Sequence, residues 1–193
     1  SFVLHCSSVV AHAEPSESDR KAAKASFQEG VRAFAAGDYR IAAAKFEAAY
    51  VLAPHYAPLW NAGRSWQRAG ELPRAANVFA RYLREAPAGA PDRDSAQQAL
   101  NELKGKLGRI DIQPNDVVEI TVDTQPIEGE GVYVIPGSHV IEGKTKTIGR
   151  RSVRVTQSVA AGEVVSVALT PPPLPPPLAP EPASPRPADT TPV

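Results

Sequence analysis

The side chains that most often carry out chemistry in proteins are scarce in this sequence. It contains four histidines and one cysteine among 193 residues. His5, Cys6 and His12 lie in a mostly apolar N-terminal stretch, and His55 and His139 are far from each other. An acid–base pair or a zinc site requires several such groups at a recognisable spacing, and the sequence shows none. We therefore predict no catalytic residue, no metal site and no cofactor, and we assign structural roles to His55 and His139.

The charge balance excludes further classes of function. Lys and Arg together number 21, as do Asp and Glu, so the net charge is zero. Proteins that bind nucleic acid or anionic lipid usually carry a basic excess, and we expect neither partner here. A single cysteine excludes a disulfide framework, and no apolar run is long enough to span a membrane within this sequence.

The first 13 residues predict a secretory signal. The sequence SFVLHCSSVV precedes Ala11-His12-Ala13, and signal peptidase requires small side chains at the outer positions of such a triplet. We interpret residues 1–13 as the end of a signal that is cleaved after Ala13. The alternatives are an ordinary disordered N-terminus and, less favoured, a lipoprotein signal built on Cys6. The preferred interpretation predicts secretion across the inner membrane to the periplasm or cell envelope.

The remaining sequence divides into three regions of different composition. Residues 19–107 are rich in Ala, Leu, Arg, Glu and Gln, which favour helices. Residues 108–170 alternate Val, Ile and Thr with polar residues, which is typical of strands. Residues 171–193 hold 11 of the 20 prolines and predict an extended, disordered tail or linker.

The helical region contains an internal repeat with an offset of 33 residues. Five pairs match: Gly30 with Gly63, Gly37 with Gly70, Ala42 with Ala75, Phe46 with Phe79, and Pro54 with Pro87. Glycine within a helix costs about 1 kcal/mol relative to alanine, so the first pair predicts close helix packing. The second glycine of each repeat predicts the turn between two helices, and each proline ends the second helix.

These residues resemble the tetratricopeptide repeat, a helix–turn–helix unit with a period of about 34 residues. The best match is Leu59-Trp60-Asn61-Ala62-Gly63 with Trp66, Gly70, Ala75, Phe79 and Pro87. The first repeat departs from the pattern at Glu29 and Ala33, and Tyr82 replaces a small residue in the second. The resemblance covers residues 19–107, with a fifth helix at 92–107 as the cap of the solenoid.

The resemblance also implies a concave groove for an extended peptide, lined by the first helix of each pair. The implied lining residues are Phe27, Val31, Phe34, Trp60, Asn61, Arg64, Gln67 and Arg68. Arg64 and Arg68 are four residues apart and share a helix face, which suits an acidic or carboxylate-ended segment. The alternative is that Arg68 pairs with Glu71 and that Arg64 is only solvated.

The strand region predicts a small β-sandwich. Strands are expected at 108–112, 117–123, 132–135, 139–142, 152–156 and 164–169, with turns between them. The segment Val132 to Ile141, with a Pro136-Gly137 hairpin before His139, resembles the PEGA-type β-domain, although Thr124 replaces a usual glycine and the P-E-G-A tetrad is absent. A generic immunoglobulin-like sandwich is the alternative.

Both resemblances imply interaction modules rather than enzymes. The leading hypothesis is a cell-envelope scaffold whose repeats bind a protein or peptide partner, while the β-domain and the tail provide spacing and reach. The second is a sensory ectodomain whose tail leads to a membrane anchor beyond Val193. The third is an accessory subunit of an enzyme or secretion complex.

Overall fold

The described part of the chain folds as five helices followed by seven strands, which confirms the predicted order of α then β. The computed structural model describes residues 14–146 and 152–171. The predictions for the signal at 1–13 and for the tail from residue 172 onward fall outside these ranges. None of the helices in the described ranges combines the length and the apolarity that crossing a membrane requires.

The helices are α1 (Glu17–Ala36), α2 (Tyr39–Leu52), α3 (Tyr56–Arg68), α4 (Leu72–Glu85) and α5 (Arg93–Lys104). Ser16 begins α1 with a capping box, because its hydroxyl accepts from the Asp19 N–H while the Asp19 carboxylate accepts from the Ser16 N–H. Each helix packs against the next along the chain, so local contacts build the helical unit.

The two repeated glycine pairs have the roles that the sequence predicts. Gly37 and Gly70 adopt φ of 86° and 78°, the left-handed conformation that reverses the chain after α1 and α3. A Cβ on Gly30 would lie 2.9 Å from the Phe46 ring of α2. Gly63 is tighter still, because a Cβ there would lie 2.5 Å from the Phe79 ring of α4. Glycine therefore lets each pair of helices approach closely.

The fifth helix closes the apolar side of α4. Ala96, Leu100 and Leu103 are buried in the same cluster as Phe79. Arg93, at the start of α5, donates from Nη1 to the carbonyl oxygens of Leu83 and Ala86, at 2.8 and 2.7 Å. Its guanidinium thus satisfies carbonyls at the end of α4 that have no partner within the helix.

The strands are β1 (Gly108–Pro114), β2 (Val117–Val122), β3 (Gln125–Pro126), β4 (Gly131–Val134), β5 (Gly137–Thr145), β6 (Val153–Val159) and β7 (Val164–Leu169). They form two sheets, ordered β4-β1-β7 and β3-β2-β5-β6, in which only the β1–β7 pair is parallel. Buried Ile and Val side chains of both sheets, with Leu169, make up one apolar cluster. We call this the β-unit.

The predicted hairpin at Pro136-Gly137 is wrong. The strand before it, β4, pairs with β1, whereas the strand after it, β5, pairs with β2 and β6 in the other sheet. The Pro-Gly segment is therefore a crossover between sheets. His139, in β5, contributes to this crossover because its Nε2 lies 2.8 Å from the carbonyl oxygen of Ile135.

The helical unit and the β-unit are joined through α4 and β4. Tyr133 of β4 is buried in the apolar cluster of the helices rather than in that of the sheets. The Asn77 side chain accepts from the Tyr133 N–H at 2.7 Å and donates to its carbonyl oxygen at 3.0 Å. Arg81 adds an ion pair to Glu128 across the same junction. The helices thus dock on one edge of a sheet through apolar, polar and charged contacts.

Candidate functional site

One arginine of the helical unit lies close to two aromatic rings. The Cζ of Arg64, on α3, lies 5.6 Å from the ring centroid of Phe34 on α1 and 5.5 Å from that of Trp60. Guanidinium groups are attracted to aromatic faces at this range. We call the surface formed by Phe34, Trp60 and Arg64 the α1–α3 groove.

The aromatic walls of this groove are fixed by the packing beneath them. Trp60 is half-buried, with its ring 5.6 Å from Phe79 and 6.1 Å from Tyr82. Phe34 meets Tyr39 edge-on at 5.2 Å. Arg64 itself is exposed, so the N–H groups of its guanidinium are accessible to other partners. Helix α3 contains no acidic residue that would take them.

The other expected groove residues divide into two groups. Val31 is 49% exposed and Arg68 is exposed, while Gln67 is half-exposed. Phe27 instead packs edge-on against Phe46, at 5.1 Å, in the core of the first helix pair. Asn61 donates from Nδ2 to the Ala57 carbonyl oxygen of its own helix at 3.3 Å, so one of its two amide donors is engaged.

The proposed Arg68–Glu71 ion pair does not form. Glu71 accepts from Arg40 of α2 at 2.7 Å instead. Arg64 is exposed, as the second part of the same alternative expects, but its guanidinium also lies within cation–π distance of Phe34 and Trp60. Arg68, three residues from Glu71, thus loses this carboxylate to Arg40, which is 31 residues away. Such a choice depends on helix packing, which a local spacing does not describe.

His55 and His139 both make contacts within the fold. His55 begins α3 by accepting from the Ala57 N–H at 3.2 Å. His139 is buried, with Nδ1 2.6 Å from Asp123 Oδ2 and Nε2 bonded to the Ile135 carbonyl oxygen. Both of these neighbours are acceptors, so both are satisfied only when each ring nitrogen carries a proton.

These neighbours change the pKa of the Asp123 carboxyl. Partial burial is the largest single effect and opposes ionisation, but the hydrogen bonds from His139 and from the Val140 N–H outweigh it. Their sum lowers the pKa of Asp123 below its usual value. Asp123 is therefore the anionic partner of a buried imidazole.

A concave region that the sequence analysis did not identify lies between the helices and the β-unit. It has a volume of about 760 Å³, with α2, α3 and α4 on one side and the segment from Val122 to His139 on the other. We call it the α4 cleft. Its helical wall carries Arg74, Arg81 and Arg84, all on α4. Their spacings of seven and three residues place them on one side of a helix, and this was the signal available in the sequence.

The three arginines of the α4 cleft make different contacts. Arg81 donates to Glu85 at 2.9 Å and to the Tyr50 hydroxyl at 3.0 Å, and it pairs with Glu128. Burial favours loss of its proton, but these acceptors together raise the pKa of Arg81. Arg74 stacks over the Trp66 ring, with Cζ 4.8 Å from the centroid. Arg84 is exposed at the end of the row.

Residues 14–146 and 152–171 contain no group of three His, Cys, Asp or Glu side chains placed to hold a metal ion. No protein-family model matches the chain. No curated protein matches it either. The candidate sites are therefore argued from their own contacts.

Proposed function

We propose that this protein is a non-enzymatic interaction protein of the bacterial cell envelope whose α1–α3 groove binds a peptide segment of a protein partner. The observation that carries the proposal is the position of the exposed Arg64 within cation–π distance of Phe34 and Trp60, with the exposed Arg68 one turn further along α3. Aromatic and arginine side chains dominate the binding energy of protein interfaces.

Two features support a tetratricopeptide-type solenoid as the scaffold of this groove. The turn glycines and the packing glycines recur 33 residues apart, and each packing glycine faces the ring of a phenylalanine on the next helix. Helix α5 covers the apolar side that the second pair leaves open. In such a solenoid, α1 and α3 line the concave surface. The β-unit, with two sheets around one apolar cluster, supports a PEGA-like or immunoglobulin-like sandwich that acts as a rigid spacer.

The chemistry of the groove favours an acidic or carboxylate-ended ligand. Arg64 is exposed, and a guanidinium matches a carboxylate with two parallel hydrogen bonds. Trp60 offers half-buried apolar area beside it. In the described ranges neither Arg64 nor Arg68 has a carboxylate within ion-pair distance, so a ligand displaces no existing pair.

The test is a comparison of charge-reversed variants in capture from an envelope extract. The double variant Arg64→Glu with Arg68→Glu should lose one or more proteins that the wild type retains, by an effect above about 2 kcal/mol for a desolvated contact. Binding should also weaken at high salt. Lys21→Glu with Lys106→Glu is the control, because both lysines are exposed and the change in net charge is identical. Retention of the same proteins by all three would place the binding surface elsewhere.

A further inference from the structure

We propose that strand β6 is a self-association site, at which two copies of this chain pair edge to edge about a two-fold axis through Thr156. Strand β6 ends the sheet ordered β3-β2-β5-β6, and among the described strands it pairs only with β5. An antiparallel β6 from a second copy would join two such sheets into one. This edge is separate from the α1–α3 groove, so the proposal does not depend on a ligand of that groove.

The backbone bonds of β5 determine which groups of β6 point outward. The Asp123 N–H donates to the carbonyl oxygen of Val140 at 2.8 Å, so Val140 faces β2. Successive residues of an antiparallel strand bond to opposite neighbours, so the odd-numbered residues of β5 bond to the odd-numbered residues of β6. The even-numbered residues of β6 therefore direct their N–H and C=O groups away from β5. These are Arg154, Thr156 and Ser158, and all three are exposed.

Strand β6 lacks the features that usually prevent pairing at a sheet edge. Its seven residues include no proline and no lysine, and its register with β5 is continuous, without a bulge. Its one charged residue, Arg154, is already paired with Glu142 of β5 at 3.3 Å. The edge strands β3 and β4 differ, because β3 is two residues long and ends at Pro126, while the Asn77 side chain bonds to Tyr133 of β4.

The sequence of β6 is complementary to itself in one symmetric register. With Thr156 opposite Thr156 of the second copy, Arg154 of each copy lies opposite Ser158 of the other, and every outward backbone group has a partner. Threonine pairs across strands are favourable. An axis through Arg154 would place two cations directly opposite each other, which is destabilising. An axis through Ser158 would place Thr156 opposite Ala160, which lies beyond the end of β6.

Neither the net charge nor the inner face of β6 opposes this pairing. The net charge of the chain is zero, so two copies do not repel each other as a whole. Val155 and Gln157 are half-buried, and in this register Val155 of one copy lies opposite Gln157 of the other, which removes apolar area from water. A single pair of strands is smaller than a standard interface, so we expect a dimer that forms at high concentration.

Strand β7 also ends a sheet, but it is the less favourable edge. The Arg109 N–H donates to the carbonyl oxygen of Glu163, so the outward residues of β7 are Val164, Ser166 and Ala168. Alanine is depleted in strands, whereas the threonine at the centre of β6 is enriched in them. We therefore assign the contact to β6.

The first experiment measures the mass of the full chain by sedimentation equilibrium under reducing conditions, from about 1 μM to about 1 mM. The mass of wild type should rise from monomer to dimer. Thr156→Lys places like charges opposite each other at the axis and should weaken association about fivefold. Thr156→Pro removes an outward N–H but no bond to β5, and it should abolish association. Gln113→Lys, the same change in charge on exposed β1, should have no effect. Circular dichroism checks that each variant is folded.

Two cysteine variants test the register. In the proposed dimer Val155 and Gln157 form a non-hydrogen-bonded pair, whose Cα atoms lie about 4.5 Å apart, within the range of a disulfide. On a Cys6→Ser background, an equimolar mixture of Val155→Cys and Gln157→Cys should therefore cross-link on oxidation. Each variant alone should not, because its two cysteines lie on the diagonal, about 7–8 Å apart.

Five results would overturn the proposal. A chain that stays monomeric at about 1 mM would exclude the dimer, and association unchanged by Thr156→Lys would place the contact elsewhere. Equal cross-linking of the mixture and of each variant alone would contradict the register. Cross-linking between Val165→Cys and Val167→Cys instead would place the contact at β7. Association that appears only after deletion of residues 172–193 would make the chain's own tail the occupant of this edge.

Discussion

Substitution of Gly63 by alanine tests the packing on which the helical unit depends. A Cβ at this position would lie 2.5 and 2.6 Å from two carbons of the Phe79 ring. Carbon atoms in contact are normally about 3.5–4.0 Å apart, so the ring or the helix has to move by about 1 Å. Phe79 is fully buried, and Trp60 packs on it, so the ring has little room to move.

The expected magnitude is the balance of two terms. Alanine favours a helix over glycine by about 1 kcal/mol, whereas overpacking of a filled core costs about 1–3 kcal/mol. Because Phe79 is confined, we take the upper part of the second range and expect a net loss of about 1–2 kcal/mol for Gly63→Ala. At this chain length, that lowers the melting temperature by about 2–8 °C. Gly63→Leu should cost more, because its longer side chain separates α3 from α4.

Two further glycines make the measurement a comparison rather than a single value. Gly30→Ala should cost less than Gly63→Ala, because the Phe46 ring lies at 2.9 Å. Gly105→Ala should stabilise by up to about 1 kcal/mol, since φ is −68° and no atom lies within 4 Å of the added Cβ. Urea unfolding followed by circular dichroism ranks the three variants. A Gly63→Ala variant as stable as wild type, or more stable than Gly105→Ala, would refute the close-packing argument.

Three other substitutions test the β-unit and its junction with the helices. Asn77→Asp should cost about 1–3 kcal/mol because it places a carboxylate against a strand carbonyl, whereas Asn101→Asp on exposed α5 should change the urea midpoint little. The pKa of Asp123 is depressed by folding, so its contribution to stability is complete above about pH 4 and is lost as the pH falls through the folded value. Asp123→Asn should therefore flatten the stability–pH curve in acid, and an unchanged curve would separate this carboxylate from the buried His139. Thr124 has φ of 68°, a left-handed conformation that is strained for a β-branched residue. Thr124→Gly should therefore raise the free energy of unfolding by roughly 1 kcal/mol, and a lower urea midpoint would contradict this strain.

The helical unit was largely predictable because its determinants are local and periodic. Gly63 and Phe79 are 16 residues apart, and the same pair recurs as Gly30 and Phe46, so spacing alone indicated which helix meets which ring. The turn at Gly37 similarly required only the conformational freedom of glycine.

The arrangement of strands was less predictable, although the positions of all the described strands except β3 were expected. Alternation of apolar and polar residues predicts where a strand lies, but it does not predict which strand pairs with it. Pro136-Gly137 has the composition of a hairpin turn, yet the strands on either side bond to different sheets. The strand pairing that forms is the one that buries the most apolar area over both sheets together. A local sequence pattern does not give that total.

Part of the candidate site was predictable for the same reason. Arg64 and Arg68 share a face by spacing alone, but the proximity of Arg64 to Phe34 depends on the approach of α1 to α3. For the α4 cleft, the spacing of the arginines on α4 indicated only the helical wall, because the opposite wall depends on contacts such as that of Asn77 with Tyr133, 56 residues apart in sequence. Contacts between separately folded units follow surface complementarity, which neither unit's periodicity encodes.

The bond between Asn77 and Tyr133 also has a consequence for aggregation. Strand β4 is an edge strand, and an edge presents free backbone N–H and C=O groups to which a strand of another molecule can add. The Asn77 amide occupies both backbone groups of Tyr133 and so ends the sheet with a side chain. Proteolysis between α4 and β1 that releases the helices would uncover this edge. The freed β-unit should then self-associate through β4. In the intact protein, the helical unit prevents a strand of another molecule from adding to this edge.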